Sequence, residues 1–495
     1  MKKRLTAIYL ICMALCSCSC STRPDITSHV DACPEIFPDY TDVTVPVNIA
    51  PLNFEVMDEN VDGKVVLIVE SGDETRYIRA RKGLISFRKG LWDSLMEKAS
   101  DDSLKLTVCF RGDNGWTAFK PFHIIVKSDE ADPYIAYRHI PPGYTMWKEM
   151  TIRQRNIESF KETVIYSNLQ GRGNCVNCHS FRDRDPDDML FHLRSELGGT
   201  YIFRDGIKEK LDTKTDSTIS PLVYPYWHGS GKYVAFTVNT TNEVVHTRNR
   251  NVVEVFDEAS DVVVYDVERH EIVTSDLLSS KDAFETFPTF SPDGRSLYFC
   301  SSRAVNPMPA GFREVKYSLC RVDFNPEDCT FGTVVDTLFN ARTHDASVSF
   351  PRISPDGRLL VFALSDYGNF SIWHKEADLY AADLQNGRIY EMNALNSDDA
   401  ESYHSWSSNS RWLVFGTRRD DGLYTKAYFS YIDADGNAHK PFLLPQKDPV
   451  RFYENNMYAY NIPEFVSGEV EYDGREIAVF ARKGESRKLG YRKIR

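Results

Sequence analysis

Cys175-Val176-Asn177-Cys178-His179 is the run in this chain whose residue types and spacing most directly suggest chemistry. Cys-x-x-Cys-His is the attachment pattern for c-type haem. Two thiols add to the haem vinyl groups, and the adjacent imidazole reaches the iron as proximal ligand. Gly171 and Gly173, just before the motif, give the loop room against a porphyrin. Met189 and His192 are the nearest candidate sixth ligands, and Met146, Met150 and His228 are more distant ones. Met/His ligation suits electron transfer, whereas an open position suits small-ligand binding or redox catalysis. The same residues have other uses. Cys175 and Cys178 can form a structural disulfide or a redox dithiol. A zinc site needs four ligands, and only Cys175, Cys178 and His179 stand together.

Other constellations are weaker. Asp183, Asp185, Asp187 and Asp188 crowd the segment after the motif, which reads as a solvated acidic turn or a cation site. Arg418-Arg419-Asp420-Asp421-Gly422 follows a strand-like run and reads as a charged turn or the rim of a channel. His228, His404 and His344 are candidates for lining such a channel or for satisfied polar residues beside turns. The chain contains no Gly-x-Ser-x-Gly, His-Glu-x-x-His, P-loop or Gly-x-Gly-x-x-Gly element.

The elements that must position these residues are strands. Four nine-residue segments align without gaps: 224–232, 287–295, 350–358 and 403–411. Each opens on an aromatic residue, and two contain Ser-Pro-Asp-Gly-Arg. Each is followed by an apolar run: Tyr233–Thr237, Leu297–Cys300, Leu359–Ala363 and Trp412–Gly416. Pro fixes φ and Gly supplies φ > 0, so the chain reverses between two strands. A weaker copy at 473–480 carries Asp473-Gly474-Arg475, with Ile477–Phe480 read as its strand. The turn positions 231, 294, 357, 410 and 474 are separated by steps of 63, 63, 53 and 64 residues. Further strand-like runs such as Val262–Val267 and Asp378–Ala382 bring each unit to four strands, a propeller blade. Six blades fit the span, with 174–182 opening the first. Strands at 134–139 and 161–167 are expected to complete the last blade, so that 132–170 pairs with 476–495 and closes the ring.

Before this array, residues 34–131 read as a small β-sandwich-like domain. Its strand-like runs are Val43–Val47, Lys64–Glu70, Arg76–Arg81, Leu104–Arg111 and Phe119–Lys127, and Gly90 to Ala99 forms an amphipathic helix with Leu91, Leu95 and Met96 on one face. The fold class is therefore all-β: a six-bladed propeller over 132–495 behind a small N-terminal domain.

Lys2, Lys3 and Arg4 precede the apolar Leu5 to Leu15, which is the pattern of an export signal. Leu15-Cys16-Ser17-Cys18 resembles the end of a bacterial lipoprotein signal. That resemblance implies a signal over 1–17, acylation of Cys18, a linker over 18–33 and a lipid anchor that holds the chain to a membrane of the cell envelope, expected to be the outer one. Export favours the haem reading, because c-type haem is attached outside the cytoplasm. No apolar run reaches the ~18 residues of a bilayer-spanning helix. Four of the eleven cysteines (Cys12, Cys16, Cys18 and Cys20) belong to the signal region and seven remain in the body, an odd number that makes no disulfide framework; Cys320 and Cys329 are read equally as a hairpin bridge and as two free thiols. With 59 basic against 71 acidic side chains, net −12, the chain has no electrostatic footprint for nucleic acid.

Ser-Pro-Asp-Gly-Arg followed by an apolar strand is similar to the repeat of TolB-like, WD40-like propellers, a resemblance that covers about 360 residues from Asp132 to Arg495. It implies a six-bladed exported propeller devoted to protein or glycan contacts. The whole chain also resembles exported propeller lipoproteins with a Cys-x-x-Cys-His element near the first blade. Two expectations follow. One is a haem c protein, with Cys175 and Cys178 as anchors, His179 on the iron, and Met189 or His192 distal. The other is a non-catalytic protein- or glycan-binding scaffold of an envelope complex, with both thiols structural. A propeller hydrolase or lyase acting on glycans is a third, lesser possibility.

Overall fold

A computed structural model of the chain describes residues 23–494, apart from 59, 60, 62, 142–148, 172, 214, 216 and 247–250. The signal segment, Cys18 and Met146 lie outside the described residues. The chain is all-β in character, with a few short helices, and it divides into two units. The first comprises Met1–Asp42, Pro51–Val126 and Lys447–Arg451; the second comprises Val43–Ala50, Lys127–Gln446 and Phe452–Arg495.

In the first unit, Ser103–Gly112 is the central strand of the larger sheet. It pairs antiparallel with Val65–Ser71, Gly115–Ala118 and Phe122–Lys127. Ile36–Phe37, Phe54–Val56 and Leu84–Ile85 form a second, three-stranded sheet. Helix α1 (Lys89–Lys98) buries Trp92, Leu95 and Met96. The inward face is thus led by Trp92 rather than Leu91, because the larger ring takes the core position against Phe87, with centroids 4.8 Å apart. The predicted strand at Val43–Val47 is present as Val43–Pro46, but it groups with the second unit.

The second unit is built from six sheets, each with a four-stranded antiparallel meander. Their first strands are β1 (Val176–Phe181), β2 (Leu222–Trp227), β3 (Ala283–Phe290), β4 (Ser347–Ile353), β5 (Glu401–Trp406) and β6 (Ala459–Val466). Each of these strands neighbours the next, and β6 neighbours β1, so the six close into a ring in a propeller-like arrangement. Sheets one to five follow chain order. The sixth is composite: β6 pairs with Tyr134–Ile140, which pairs with Thr151–Asn156 and then Glu162–Ser167.

The repeat has a local cause at its turns. Gly231, Gly294, Gly357 and Ser410 all have positive φ, between 61° and 76°. The carboxylates of Asp293 and Asp356 each accept a hydrogen bond from the backbone N–H two residues on, at Arg295 and Arg358, both at 3.0 Å. The Asp side chain and the left-handed glycine together fix the reversal.

Closure corrects one sequence expectation. Residues 132–170 pair with 459–466, not with 476–495. Asp473 does not begin a hairpin: its carboxylate accepts from Arg475 N and Glu476 N and caps helix α2 (Gly474–Lys483). Ile477, Ala478 and Ala481 fall on one helical face and are buried in the same apolar cluster as Met189, Phe191 and Val466. Beyond α2, Ser486–Lys488 adds in parallel to Ile207–Asp212 of the first sheet, and Gly490–Ile494 adds in parallel to Glu271–Ser275 of the second.

Candidate functional site

Each of the six ring strands carries a bulge at the same place. The ladder slips at Asn177/Ser180, Val223/Tyr226, Thr286/Thr289, Ser349/Arg352 and Ser402/His404, and opposite Asn461/Glu464 in β6. The residues at the slip are Cys178, Tyr224, Phe287, Phe350, Tyr403 and Ile462. All but Tyr403 have φ between 49° and 55°. Non-glycine residues in that region are strained by about 1–3 kcal/mol each, so the surrounding ring must hold them there. Proline follows at 225, 288, 351 and 463, where a bulge has no ladder partner for an N–H. His179 and His404 stand in the same place in the other two strands.

These slip residues plug the ring axis. Tyr224, Phe287, Phe350 and Tyr403 touch in series, with centroids 4.5, 4.4 and 4.2 Å apart. A cavity of about 380 Å³ lies on one side of the plug, lined by residues just before the slip, including Asn177, Val223 and Asn461. A cavity of about 90 Å³ lies on the other side, lined by residues just after it, including Ser180, Arg352 and Glu464. The larger volume is in the range of small-molecule sites, whereas the smaller has room for a few waters.

The Cys-x-x-Cys-His run is divided by this plug. Cys175 and Cys178 line the larger cavity; His179 lines the smaller one. Burial raises the Cys178 thiol above its usual range. His179 is 2% exposed, and burial, helped by the Arg138 charge, lowers its pKa to about 3. Its ring nitrogens have no hydrogen-bond partner among the described residues, although the backbone of Ile462 and Ala136 lies beside the ring. His404 shows what this position does. Its Nε2 meets Val361 O of the neighbouring sheet at 2.8 Å, and Ala136 is on the corresponding strand beside His179.

The residues do not fit a c-type haem. A macrocycle bonded to both thiols would have to occupy the larger cavity, whereas His179, the imidazole that would have to ligate its iron, lines the other. The nearest proposed distal ligands, Met189 and His192, are elsewhere too. Met189 is fully buried in an apolar cluster with Val176, Phe181, Phe191 and Phe203. His192 Nδ1 contacts Thr200 Oγ1 at 3.2 Å, and burial and the Arg194 charge lower its pKa to about 3. Met150 is buried and borders the larger cavity. His228 is a turn residue on Ser230 and Gly294 O. His344 is exposed and stacks on Phe339.

The remaining candidates sort as follows. Asp188 is buried beside Arg182 and Arg204, while Asp185 caps its own turn by accepting from Asp187 N. Among the described residues no group of three or more His, Cys, Asp or Glu side chains is placed to hold a metal ion. Cys320 and Cys329 are separate buried free thiols. Arg418 does reach the channel: it lines the larger cavity with its guanidinium 3.2 Å from the Trp373 ring centroid. Asp420 and Asp421 pair with Lys426.

Sequence reasoning did not single out Arg138, Arg194, Asn461 or Trp373 as cavity residues. The slip is a sequence signal for Asn461 alone, which directly precedes the Ile462-Pro463 copy; Arg138, Arg194 and Trp373 carry no such signal. Cys178-His179-Ser180-Phe181 and Ile462-Pro463-Glu464-Phe465 align with Phe287-Pro288-Thr289-Phe290 as fifth and sixth copies.

Part of the cavity wall comes from Val253 and Val255 on the long hairpin Tyr233–Val245/Val253–Asp266, and part from Phe370, Ile372 and Trp373 after the fourth sheet's second strand. Behind that wall a polar latch joins the two. His374 Nε2 lies 2.8 Å from Glu254 Oε2, both side chains 2% exposed. Tyr367 Oη donates to Glu254 Oε1 at 2.5 Å, and Asn369 donates to Asp257 at 2.6 Å. Burial opposes a charge on His374, but hydrogen bonds and attraction from Glu254 and Glu376 outweigh it and lift its pKa to about 9.

No family profile matches the chain, and no curated protein is similar to it in sequence. Solved structures are similar in part. A puromycin-hydrolysing peptidase of Mycobacterium tuberculosis is 11% identical over 82% of this chain and 57% of its own, with a TM-score of 0.35. The periplasmic gluconolactonase of Pseudomonas aeruginosa is 12% identical over 63% of this chain and 97% of its own, with a TM-score of 0.34. Dipeptidyl peptidase 4 of Porphyromonas gingivalis is 12% identical over 62% and 46%, with a TM-score of 0.32. The chain thus spans about half the length of either peptidase.

Proposed function

We propose that this chain is a six-bladed propeller lipoprotein, anchored at Cys18 to the bacterial envelope, that recognises a glycan or protein group in its axial cavity without transforming it. The observation that carries this reading is the cavity of about 380 Å³ above the aromatic plug, where arginine, asparagine and tryptophan side chains from several sheets converge. Convergent polar groups in an apolar recess are what orient a ligand. Cys175 and Cys178 belong to its wall. The N-terminal unit is a sandwich-like accessory module.

The test uses Cys175, which is partly exposed on the cavity wall. The reduced protein, carrying Cys33→Ser to remove the exposed thiol, is screened on glycan and peptide arrays before and after alkylation with N-ethylmaleimide. Binding that falls on alkylation supports the cavity as the site. Binding that is indifferent to alkylation, or absent from both arrays, overturns it. Loss of metabolic palmitate labelling in Cys18→Ala tests the anchor.

A further inference from the structure

The charge of the axial cavity runs against that of the chain. The sequence carries 71 acidic and 59 basic side chains, yet the cavity is lined by Arg138, Arg194 and Arg418, and the acid on its wall is Glu243, which is exposed. Arg138 and Arg194 line this cavity together with Cys178, so both arginines lie on its side of the plug. The Arg138 guanidinium is incompletely satisfied: Nη1 donates to Val176 O at 3.4 Å, and buried Nε has no hydrogen-bond partner among the described residues. Arg418 is held rigid, with Nε donating to Thr425 Oγ1 at 3.2 Å and its plane on Trp373.

A second observation points to a ligand. Asn461 is 5% exposed, lines the same cavity, and has an Oδ1 without a hydrogen-bond partner among the described residues. An unpaired buried amide oxygen costs free energy unless something donates to it. Guanidinium groups recognise carboxylates through short, charge-assisted hydrogen bonds. An acceptor among them calls for a hydroxyl on the same molecule.

We infer that the axial cavity binds a hydroxylated carboxylic acid of sugar-acid type, its carboxylate on Arg138 and Arg194 and a hydroxyl donating to Asn461. This rests on the reading of the cavity as the ligand site and adds the chemical class of the ligand. The class includes a free sugar acid and the terminal residue of an acidic glycan.

The experiment measures protection of Cys175 from N-ethylmaleimide, read by peptide mass spectrometry on the reduced Cys33→Ser protein. The probes are D-glucuronate, D-glucose, inorganic phosphate and an oligogalacturonide. D-glucuronate is expected to protect Cys175 where D-glucose does not, and the oligogalacturonide arm tells an end-group site from a free-acid site. Arg194→Gln, at an exposed position that leaves the core intact, is expected to weaken protection about 10- to 100-fold, as loss of a charged hydrogen bond does. Arg138→Gln should act in the same direction. Equal protection by D-glucose overturns the charge argument while leaving the cavity as the site. Protection by phosphate alone overturns the carboxylate assignment. Protection by none of the four overturns the inference, and the array experiment then decides separately whether the cavity binds anything.

Discussion

Replacing His374 by leucine tests the latch behind the cavity wall. Glu254 is as buried as His374, so the substitution leaves a carboxylate facing an apolar group with, among the described residues, only Tyr367 still donating to it. Breaking a buried pair from one side costs about 3–5 kcal/mol. An independent figure follows from titration. His374 moves from 6.5 to about 9, and a shift of that size corresponds to about 3 kcal/mol. The sign is fixed by the direction of the shift. The folded state holds the proton more tightly than the unfolded chain does, so the contribution is complete below pH 6.5 and is lost as pH rises through 9. Denaturant unfolding of wild type and His374→Leu from about pH 6 to about pH 10 should therefore show a gap that is largest at the acid end and narrows at the alkaline end. Glu254→Gln in the same background should recover much of the loss, because the stranded charge is gone. A gap below about 1 kcal/mol, or one that does not change with pH, would refute the argument, since a solvent-exposed pair behaves that way.

Three further outcomes are expected. Protein produced with c-type maturation machinery and then denatured should show no covalently bound haem in a pyridine haemochrome spectrum; a retained band would falsify the placement of His179 across the plug from the thiols. Glu464, whose carboxyl burial raises to about 7, favours its protonated form when folded, so stability should fall as pH rises from about 4.5 to about 7; Glu464→Gln should flatten that slope in thermal melts, and an unchanged slope counts against it. Phe287→Ala, which opens the aromatic series between Tyr224 and Phe350, should cost about 3–5 kcal/mol in denaturant unfolding, and a loss below 1 kcal/mol would mean the plug collapses without it.

Much of the architecture was legible because its signals are local. Ser-Pro-Asp-Gly-Arg encodes its own turn through the Asp carboxylate and the left-handed glycine, so the hairpins at 294 and 357 could be read without tertiary information. Asp473-Gly474-Arg475 carries the same three residues and forms a helix cap instead. What separates them is the next stretch: Ile477, Ala478 and Ala481 have helical spacing, and they face a core that only the fold supplies. The true closing copy, Ile462-Pro463-Glu464-Phe465, lacks the Pro-Asp-Gly turn, so the repeat pattern does not reveal it. Cys178-His179 was open to misreading as well. A bulge accepts a thiol and an imidazole in place of an aromatic ring and a proline, and nothing in the pentapeptide itself reports that the two side chains leave the strand toward different cavities. The cavity arginines are separated by dozens to hundreds of residues, so only the closed ring brings them together.

The composite sixth sheet has a consequence for the order of events in synthesis. Tyr134–Ile140 presents its inner edge early, but the strand that covers it, Ala459–Val466, is made some three hundred residues later. Until then the edge is a template for any extended chain nearby. The cavity is unfinished for the same interval, because Arg138 comes from the early strand and Asn461 from the late one. A nascent or truncated chain therefore lacks the complete cavity until Tyr134–Ile140 and Ala459–Val466 have paired.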